Sequence, residues 1–447
     1  MKESEDNESE IVDEKSELDR VQEHWPSLSH DDRLEAFKSL PRADAEELFI
    51  SLGPSDQRGL LEERPWPEKR SWVRLLAPDD AADLIQEFPS DERGRVISLL
   101  DPVTAKEITA LLAYAEDEAG GLMNPRFIRL RPDVTVDVAI RYLRAQARGT
   151  AETIHYGYVL DPDQRLLGTV SFRELLLESP EKLVSDIMTT DLVTLPEQMD
   201  QEQVSREFAK YDLASLPVVD DHGRMKGIVT VDDVVDVVEE EATEDIQKLG
   251  GSEALDEPYM QISLLRMIRK RAIWLVVLFF GEMLTTIAMG HYELDIQRAV
   301  VLALFIPLII SSGGNSGSQA TSMIIRAIAL QEIRLRDWWR VLMRELLTGL
   351  SLGAILGTIG FLRIMLTPAR EDAFGAHYMQ LGLTVSASLV GVVLLGSVTG
   401  AMLPFLLRRI GLDPAAASAP LVATLVDVTG LILYFTFASL ILGGALF

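Results

Sequence analysis

The chain of 447 residues contains no cysteine. Disulfide bonds are therefore excluded, and so is every metal site that uses thiolate ligands. The six histidines are scattered, at positions 24, 30, 155, 222, 291 and 377, without the spacing of a zinc site. Any metal site must therefore be built from oxygen atoms, which favour hard cations such as Mg²⁺, Ca²⁺ or Mn²⁺.

Positive charge is scarce as well, because 42 Lys and Arg face 69 Asp and Glu, for a net charge of −27. The deficit lies entirely in residues 1–262, which carry −31, whereas residues 263–447 carry +4. A nucleic-acid partner is excluded, since the phosphate backbone needs a cationic surface. The acidic part suits cation binding, or it merely keeps the domain soluble.

Two further features of the sequence are missing. No Walker motif or other phosphate-cradling loop is present, so ATP-driven pumping is not expected. The N-terminus lacks the cationic and apolar regions of a signal peptide, and residues 1–20 are predicted to form a disordered acidic tail.

A twelve-residue period runs through the next part of the chain. Large apolar residues recur at this spacing, each before a helix start with proline, serine or aspartate: Leu28, Leu40, Leu52, Leu76, Phe88 and Leu100. Proline suits the first turn of a helix, and Ser or Asp caps it. Each unit allows about two helical turns, too few to be stable alone. The pattern predicts a superhelical stack of short helices over residues 21–120, with the repeat broken at Arg64.

Two similar units follow, over residues 121–182 and 183–238. Each combines an extended segment, an amphipathic helix, two strands and a closing helix. Helices are predicted at 135–147, 172–177, 200–211 and 231–238, and strands at 157–161, 166–170, 216–220 and 225–229. The tracts Leu216-Pro217-Val218-Val219-Asp220 and Gly227-Ile228-Val229-Thr230-Val231-Asp232-Asp233 resemble those of tandem cystathionine-β-synthase-type (CBS) domains. Such pairs bind adenine nucleotides or act as regulatory joints.

Five apolar segments are long enough to cross a membrane, at about 272–289, 299–328, 338–366, 379–407 and 416–446. Lys and Arg cluster before the first segment and in the second and fourth loops, whereas the other two loops have few. The positive-inside rule then predicts a cytoplasmic N-terminus and an external C-terminus. Residues 239–262 connect the CBS pair to this predicted membrane domain, residues 263–447.

Asp427 lies midway along the last apolar segment, without a neighbouring cation in the sequence. A lone carboxylate at bilayer depth costs about 3 kcal/mol on insertion scales, and usually marks an ion or proton site. The alternative is a protonated or hydrogen-bonded structural aspartate. Glu282, in the first segment, is another intramembrane carboxylate, and its role stays open at this point.

The second segment contains the polar tract Ser311–Gln319, preceded by Pro307. Proline and glycine would loosen the backbone here, and irregular backbone is tolerated in a membrane where it lines a cavity. Its carbonyl groups, with Asn315 and Gln319, would then accept hydrogen bonds from the water held by a cation. The alternative is close helix packing through small residues, and both can hold together.

From about residue 28 to 447 the chain resembles the MgtE-type magnesium channels. The order of the parts matches, and so do several local motifs: Glu116-Asp117-Glu118-Ala119-Gly120-Gly121-Leu122-Met123, Glu239-Glu240-Glu241-Ala242-Thr243-Glu244-Asp245-Ile246, Gly313-Gly314-Asn315 and Pro420-Leu421-Val422-Ala423-Thr424-Leu425-Val426-Asp427-Val428-Thr429-Gly430. The resemblance implies a multidomain fold with a helical N-domain, an α/β CBS pair, a connecting "plug" helix and a five-helix membrane domain. Ala419 departs from it, because some members carry asparagine there.

The resemblance also implies a homodimer in the membrane lipid whose pore lies on the two-fold axis. Asp427 of both subunits would hold a hydrated Mg²⁺, which suits an ion that keeps most of its water. The second and fifth spans would line the pore, at Gly313, Gly314, Asn315, Gln319 and Ala423.

Cytosolic Mg²⁺ sensing is implied too. The sensor carboxylates would be Asp200, Glu202 and Asp212 in the second CBS unit, Asp233, Asp236, Glu241, Glu244 and Asp245 on the connecting helix, and Glu47, Asp79 and Asp83 in the N-domain. For any one of these residues the alternative is a solvated helix face. The spacing of Asp79 and Asp83 places both on one face of a helix, where a divalent ion would relieve their repulsion. The resemblance further suggests ATP in the CBS pair, with Tyr156, Arg173 and Glu174 near it.

These observations predict a Mg²⁺-gated magnesium channel in the cell (inner) membrane rather than an enzyme. Cytosolic Mg²⁺ bound to the acidic domains would close the pore. Two alternatives remain from the sequence: an ion-coupled secondary transporter of Mg²⁺, Co²⁺ or Mn²⁺, in which Asp427 titrates, and a membrane sensor that transports nothing.

Overall fold

The computed structural model describes residues 16–146, 153, 155–255, 259–260, 262–293, 296 and 300–442. The chain divides into two compact units, Met1–Glu241 and Ala242–Phe447. Residues 1–15 of the predicted tail lie outside the described residues. The rest of that prediction is wrong, because helix α1, Glu17–His24, starts inside it. Ser16 and Asp19 form a capping box that fixes this start.

Short helices fill the first part of unit 1, and this confirms the predicted stack. After α1 they are α2 His30–Ser39, α3 Arg42–Ser51, α4 Pro54–Glu62, α5 Trp66–Val73, α6 Pro78–Gln86, α7 Ser90–Ile97, α8 Pro102–Leu111 and α9 Ala119–Leu122. Proline opens α4, α6 and α8 at a first-turn position, where its missing N–H costs nothing. The periodic apolar residues Leu40, Leu76 and Phe88 are buried in one shared core.

The predicted break at Arg64 does not interrupt the stack. Helix α5 follows it directly. The Arg64 guanidinium lies 5.4 Å from the ring centre of Phe37 and 5.3 Å from that of Trp72. The long side chain therefore covers aromatic surface where the other repeats place an apolar residue, and its charge gains from the ring faces.

The two CBS units have the predicted repeat. In the first, β1 Ile128–Leu130 pairs parallel to β2 Tyr156–Leu160, which pairs antiparallel to β3 Leu166–Ser171. In the second, β4 Leu195–Pro196, β5 Ser215–Val219 and β6 Met225–Thr230 repeat this order. The helices are α10 Val136–Gln146, α11 Phe172–Leu177, α12 Val184–Ile187, α13 Gln201–Tyr211 and α14 Val231–Leu249. Helix α14 runs without a break past residue 238, where the second CBS unit was predicted to end.

Among the described residues of unit 2, five helices are long and apolar enough to cross a membrane, as predicted. They are span 1 Leu264–His291, span 2 Ile306–Ala329, span 3 Trp338–Met365, span 4 Tyr378–Arg409 and span 5 Ala419–Leu442. Short helices Val300–Ala303 and Arg370–Phe374 and a 3₁₀ turn Pro414–Ala416 lie between them. The end of the predicted fifth segment, after residue 442, lies outside the described residues.

Spans 2, 4 and 5 pack closely through small residues. A Cβ atom on Gly396 of span 4 would lie 2.2 Å from the Gly313 carbonyl oxygen, and one on Gly400 would lie 2.1 Å from the Gly317 carbonyl oxygen. Only glycine permits this approach, which is the usual way in which membrane helices gain packing energy. Span 1 differs, since none of its residues is buried within the described protomer.

Candidate functional site

Asp427 lies in the middle of span 5, one helical turn after Ala423, and is partly buried. Span 5 has no other acidic or basic residue. Ala423 contacts Gly314 of span 2, since a Cβ atom on that glycine would lie 3.6 Å from the Ala423 Cβ atom. The carboxyl group of Asp427 therefore stands beside the line of contact between spans 2 and 5.

Glu282 of span 1 is a neighbour of Asp427 that the sequence left without a role. The two carboxyl groups interact directly. Gly281 makes this possible, because a Cβ atom there would lie 2.6 Å from Cγ2 of Thr424, so the two helices approach closely at this point. Two carboxyl groups side by side at membrane depth attract any cation that can reach them.

The polar tract of span 2 is regular α-helix, so the expectation of a loosened backbone is wrong. The tract has two faces. Gly313 and Gly317 are buried against spans 4 and 5, where they serve packing rather than an open cavity within the protomer. Asn315 and Gln319 lie one turn apart on an exposed face of the same helix. Of the five predicted pore-lining residues, Gly314 and Ala423 touch each other, and Asn315 and Gln319 share a free surface.

A second candidate site lies in unit 1, around Asp83 of α6. Four other carboxylates act on this partly buried side chain: Asp80, Glu116, Asp233 and Glu240. These five residues are called the carboxylate cluster here. Burial, reinforced by the neighbouring negative charges, raises the pKa of Asp83 to about 7. The cluster therefore concentrates negative charge around Asp83, and a cation would relieve the repulsion acting on that side chain.

Asp233, in the first turn of α14, is the second strongly perturbed member of the carboxylate cluster. Burial raises its pKa to about 7, although hydrogen bonds from Thr230 oppose that shift. Its Oδ2 atom accepts from the Thr230 hydroxyl at 2.6 Å and from the Thr230 backbone N–H at 3.2 Å. Asp236 is exposed on the same helix, and burial together with Glu239 and Asp232 raises its pKa.

Asp79 has a different role from Asp83, although both lie on one face of α6 as predicted. Asp79 is buried, and its Oδ1 atom accepts a hydrogen bond of 3.0 Å from Nδ2 of Asn124. That bond links α6 to the first CBS unit, where the Asn124 backbone pairs with Ile228. Sequence reasoning missed Asp80, Glu116 and Glu240, although Glu116 and Glu240 lie inside the quoted family motifs.

The three carboxylates predicted in the second CBS unit stay apart. Asp200 caps the start of α13, and Asp212, in a left-handed conformation, ends it. The two residues are therefore about 18 Å apart along the helix and cannot bind one ion within a protomer. Glu202 forms an ion pair with Arg206. Glu47 is exposed on α3, outside the carboxylate cluster.

Three predicted sensor residues lie further along α14. Glu241 accepts a hydrogen bond of 2.7 Å from the side-chain amide of Gln201. Glu244 forms an ion pair of 2.5 Å with Lys248. Asp245 is partly buried. The sequence could not assign Gln201 as the partner of Glu241, because Gln201 is forty residues away and only the tertiary fold brings it near.

Among the described residues, no three Asp, Glu or His side chains converge well enough to hold one ion directly. The donor set nevertheless suits a hydrated divalent cation, since it consists of carboxylate oxygens, and the pKa values of two of its members, Asp83 and Asp233, are raised by burial and by neighbouring negative charge. Mg²⁺ keeps several water molecules and needs only one or two carboxylates. The carboxylate cluster therefore fits Mg²⁺ held through its water shell.

The CBS pair encloses a cavity of about 330 Å³ that contains two of the three predicted ATP residues. Tyr156 and Glu174 line it, together with polar groups from both CBS units such as Asp191 and Ser215. Glu174 is held in place by Ser171, whose backbone N–H and hydroxyl both donate to it at 2.8 Å. Arg173 is exposed and does not line the cavity.

Comparison with known proteins gives matches along most of the chain. Residues 306–437 match the family described as a divalent cation transporter, MgtE. Residues 17–117 match the MgtE intracellular N domain, and residues 119–181 and 184–240 match CBS domains.

Among individual relatives, the magnesium transporter MgtE of Thermus thermophilus is 44% identical over 339 residues, covering 76% of this chain and 73% of that protein. The magnesium transporter MgtE of Enterococcus faecalis is 34% identical, over 75% of this chain and 72% of its own length. A solved cytosolic domain of the Mg²⁺ channel MgtE in complex with ATP is 41% identical, with a TM-score of 0.46, over 51% of this chain and 92% of that one.

Proposed function

The chain belongs to the MgtE family of magnesium transporters, and we propose that it is a Mg²⁺ channel closed by cytosolic Mg²⁺. It is a membrane transporter and not an enzyme. The proposal rests on Asp427, which lies within span 5 beside the contact between spans 2 and 5. Placing a carboxylate at membrane depth costs free energy, and a bound cation offsets that cost.

Conduction would take place where two protomers meet. Span 2 presents Asn315 and Gln319 on an exposed face, and Asp427 of span 5 stands beside the adjoining seam. In a two-fold dimer these polar groups would occur twice around one axis. Two aspartates and amide groups suit a Mg²⁺ ion that keeps its water shell, since such an ion is bound through few direct ligands.

Closure would depend on the carboxylate cluster of unit 1. Asp83 belongs to the N-domain, and Asp233 opens the helix that leads to the membrane domain. Without a cation their repulsion favours separation of the N-domain from α14. Bound Mg²⁺ would reverse this and favour the closed arrangement, so the ion acts as a ligand that shifts a two-state equilibrium.

ATP is the proposed ligand of the cavity between the CBS units. Tyr156 offers a ring on which an adenine base can stack, and the lining residues offer polar groups for a ribose. The volume of the cavity is at the lower end of the range that is usual for small-molecule sites. Nucleotide binding there would set how firmly the two CBS units hold α14, which follows the last strand of the pair.

The proposed location is the cell membrane, with unit 1 in the cytoplasm. Arg334 and Arg336 lie between spans 2 and 3, Arg340 lies in the first turn of span 3, and Arg408 and Arg409 end span 4. These loops would therefore face the cytoplasm, and the C-terminus the outside.

Uptake into liposomes tests the proposal. The purified protein should admit Mg²⁺ at low internal Mg²⁺ and stop when the side that bears unit 1 holds high Mg²⁺. Asp427→Ala should abolish uptake while the oligomeric state stays unchanged, whereas Asp372→Asn, in an exposed external helix, should have little effect. Normal uptake by Asp427→Ala would refute the pore assignment.

An ion-coupled transporter is the second candidate, since the Glu282–Asp427 contact also suits proton exchange. Recordings from single molecules separate the two. Discrete unitary currents support a channel, and uptake that requires a proton gradient supports a coupled transporter.

A further inference from the structure

The end of α14 is attached to the turn that leads into span 5. Lys248 makes this link, with its Nζ atom 2.5 Å from Oε1 of Glu244 and 2.6 Å from Oδ2 of Asp413. Glu244 lies one turn earlier on the same helix, whereas Asp413 lies between spans 4 and 5. One ammonium group thus joins two carboxylates from separate elements of unit 2.

Asp413 is itself held by the turn. It caps the 3₁₀ turn Pro414–Ala416 through a hydrogen bond of 2.8 Å from the Ala415 backbone N–H. Span 5 begins at Ala419 and carries Asp427 two turns further on. A force on the Asp413 carboxylate therefore acts close to the start of the helix that bears the proposed pore residue.

Apolar packing and backbone contacts surround the link. Leu249 packs against Ala415, Ala417 and Ile325, all three of which are buried. Gly251, at a φ of +73°, follows the helix end, and a Cβ atom there would lie 3.1 Å from the ring of Pro420. Lys248 itself is only 26% exposed. The charge pair is therefore half-shielded from water and stronger than a surface pair.

The charges of the site balance only because Lys248 is present. Without it, Glu244 and Asp413 would be two facing carboxylates that repel each other. Burial alone lowers the pKa of the Lys248 ammonium, but the hydrogen bonds to Asp413 and Glu244 outweigh burial and leave that pKa raised. The ammonium is therefore fully charged at any physiological pH.

We infer that Lys248 is a positioning residue that acts as a built-in cation. It holds the end of the connecting helix on the turn before span 5 without a metal ion, and a divalent ion would have to displace it to reach Glu244. In this view the carboxylate cluster of unit 1 responds to Mg²⁺, whereas this contact of unit 2 is constant. The functional meaning of the inference rests on the proposed gating, but its test does not require transport.

The test uses the absence of cysteine from the chain. Ala415→Cys introduces a single thiol at a position that is 1% exposed and packed against Leu249. Its rate of maleimide labelling in the full-length protein reports separation of the helix end from the turn. The labelling rate is measured in EDTA and at high Mg²⁺ for three proteins that carry Ala415→Cys. One keeps Lys248, and the other two also carry Lys248→Met or Lys248→Arg.

With Lys248 the labelling should be slow and independent of Mg²⁺. Lys248→Met should label about fivefold faster or more in EDTA, and Mg²⁺ should slow it again by bridging the two carboxylates. Lys248→Arg should behave like Lys248. Slow labelling of Lys248→Met in EDTA would overturn the inference, and so would fast labelling that Mg²⁺ fails to reverse.

A second variant guards against unfolding. Asp413→Asn keeps the cap, since asparagine also caps well, but it removes one carboxylate. Its labelling should be fast and insensitive to Mg²⁺, and slow labelling would again overturn the inference. Ala45→Cys, buried in the N-domain, should label slowly in every background. If Mg²⁺ uptake fails while these labelling results hold, only the proposed function is refuted.

Discussion

Mg²⁺ binding to the carboxylate cluster should release protons near neutral pH. The pKa values of Asp83 and Asp233 are both raised to about 7. Raising the pKa of Asp83 from 3.8 to about 7 corresponds to about 4 kcal/mol against the ionised form. At pH 7 each of these groups is therefore about half protonated, and a bound cation would remove that proton. Release should reach about one proton per protomer and vanish near pH 9, where both groups are already ionised.

The same shifts set the sign of a stability effect in the absence of metal. A carboxyl group whose folded pKa is raised stabilises the folded state fully below its unfolded pKa, here 3.8, and this contribution is lost as pH rises through about 7. The packing of α6 near α14 should therefore loosen as the pH rises from about 4 to about 7 in EDTA, and should change little above that. Added Mg²⁺ should restore it, because the cation replaces the proton.

Titration calorimetry in two buffers of different ionisation enthalpy measures the released protons. Asp83→Asn should reduce the release by about half and raise the Mg²⁺ concentration needed to block uptake. Asp101→Asn is the matched control. Asp101 is a partly exposed helix cap outside the carboxylate cluster, and hydrogen bonds from Thr104 lower its pKa. Saturable Mg²⁺ binding at pH 7 without proton release, or unchanged release in Asp83→Asn, would refute the reasoning.

Two further predictions concern the other sites. Glu282→Gln should slow Mg²⁺ uptake several-fold but less than Asp427→Ala, because it removes only the neighbouring charge; an unchanged rate in the liposome assay would show that Glu282 is passive. Tyr156→Ala should weaken ATP binding by about tenfold, the loss expected for one stacked base. Arg173→Ala, outside the cavity, should have a smaller effect on the dissociation constant, and equal affinities for all three proteins would refute the assigned cavity.

Local patterns allowed most of the fold to be predicted. The twelve-residue period located the short helices, because proline and capping residues act within one turn. The CBS hairpins and the five spans were found for the same reason, since alternation and apolar length are properties of consecutive residues. Tertiary contacts were beyond these local patterns, as at Arg64, where only the structure shows that the side chain covers Phe37 and Trp72 in place of the missing apolar residue.

The candidate sites could be predicted only in part. Residue type and depth singled out Asp427 without a structure, since few other reasons place a carboxylate in mid-membrane. The pairing of Asp427 with Glu282 could not be predicted, because it depends on the close approach of spans 1 and 5 at Gly281, which no sequence pattern indicates. Likewise, spacing put Asp79 and Asp83 on one face, but only the fold shows that Asn124 bonds the former and that Glu116 acts on the latter.

In the proposed function one cation serves both as cargo and as signal, and the distribution of charge is consistent with this. Residues 1–262 carry −31, and residues 263–447 carry +4. Free Mg²⁺ would therefore be attracted to unit 1, where the carboxylate cluster would gain most from it, whereas the membrane unit offers few intramembrane carboxylates. Both behaviours occur along α14: Asp233 belongs to the cluster, whereas Lys248, four turns later, is itself the cation that pairs with Glu244 and Asp413. The helix would thus be sensitive to Mg²⁺ at its start and fixed at its end, which is the arrangement a lever between sensor and pore requires.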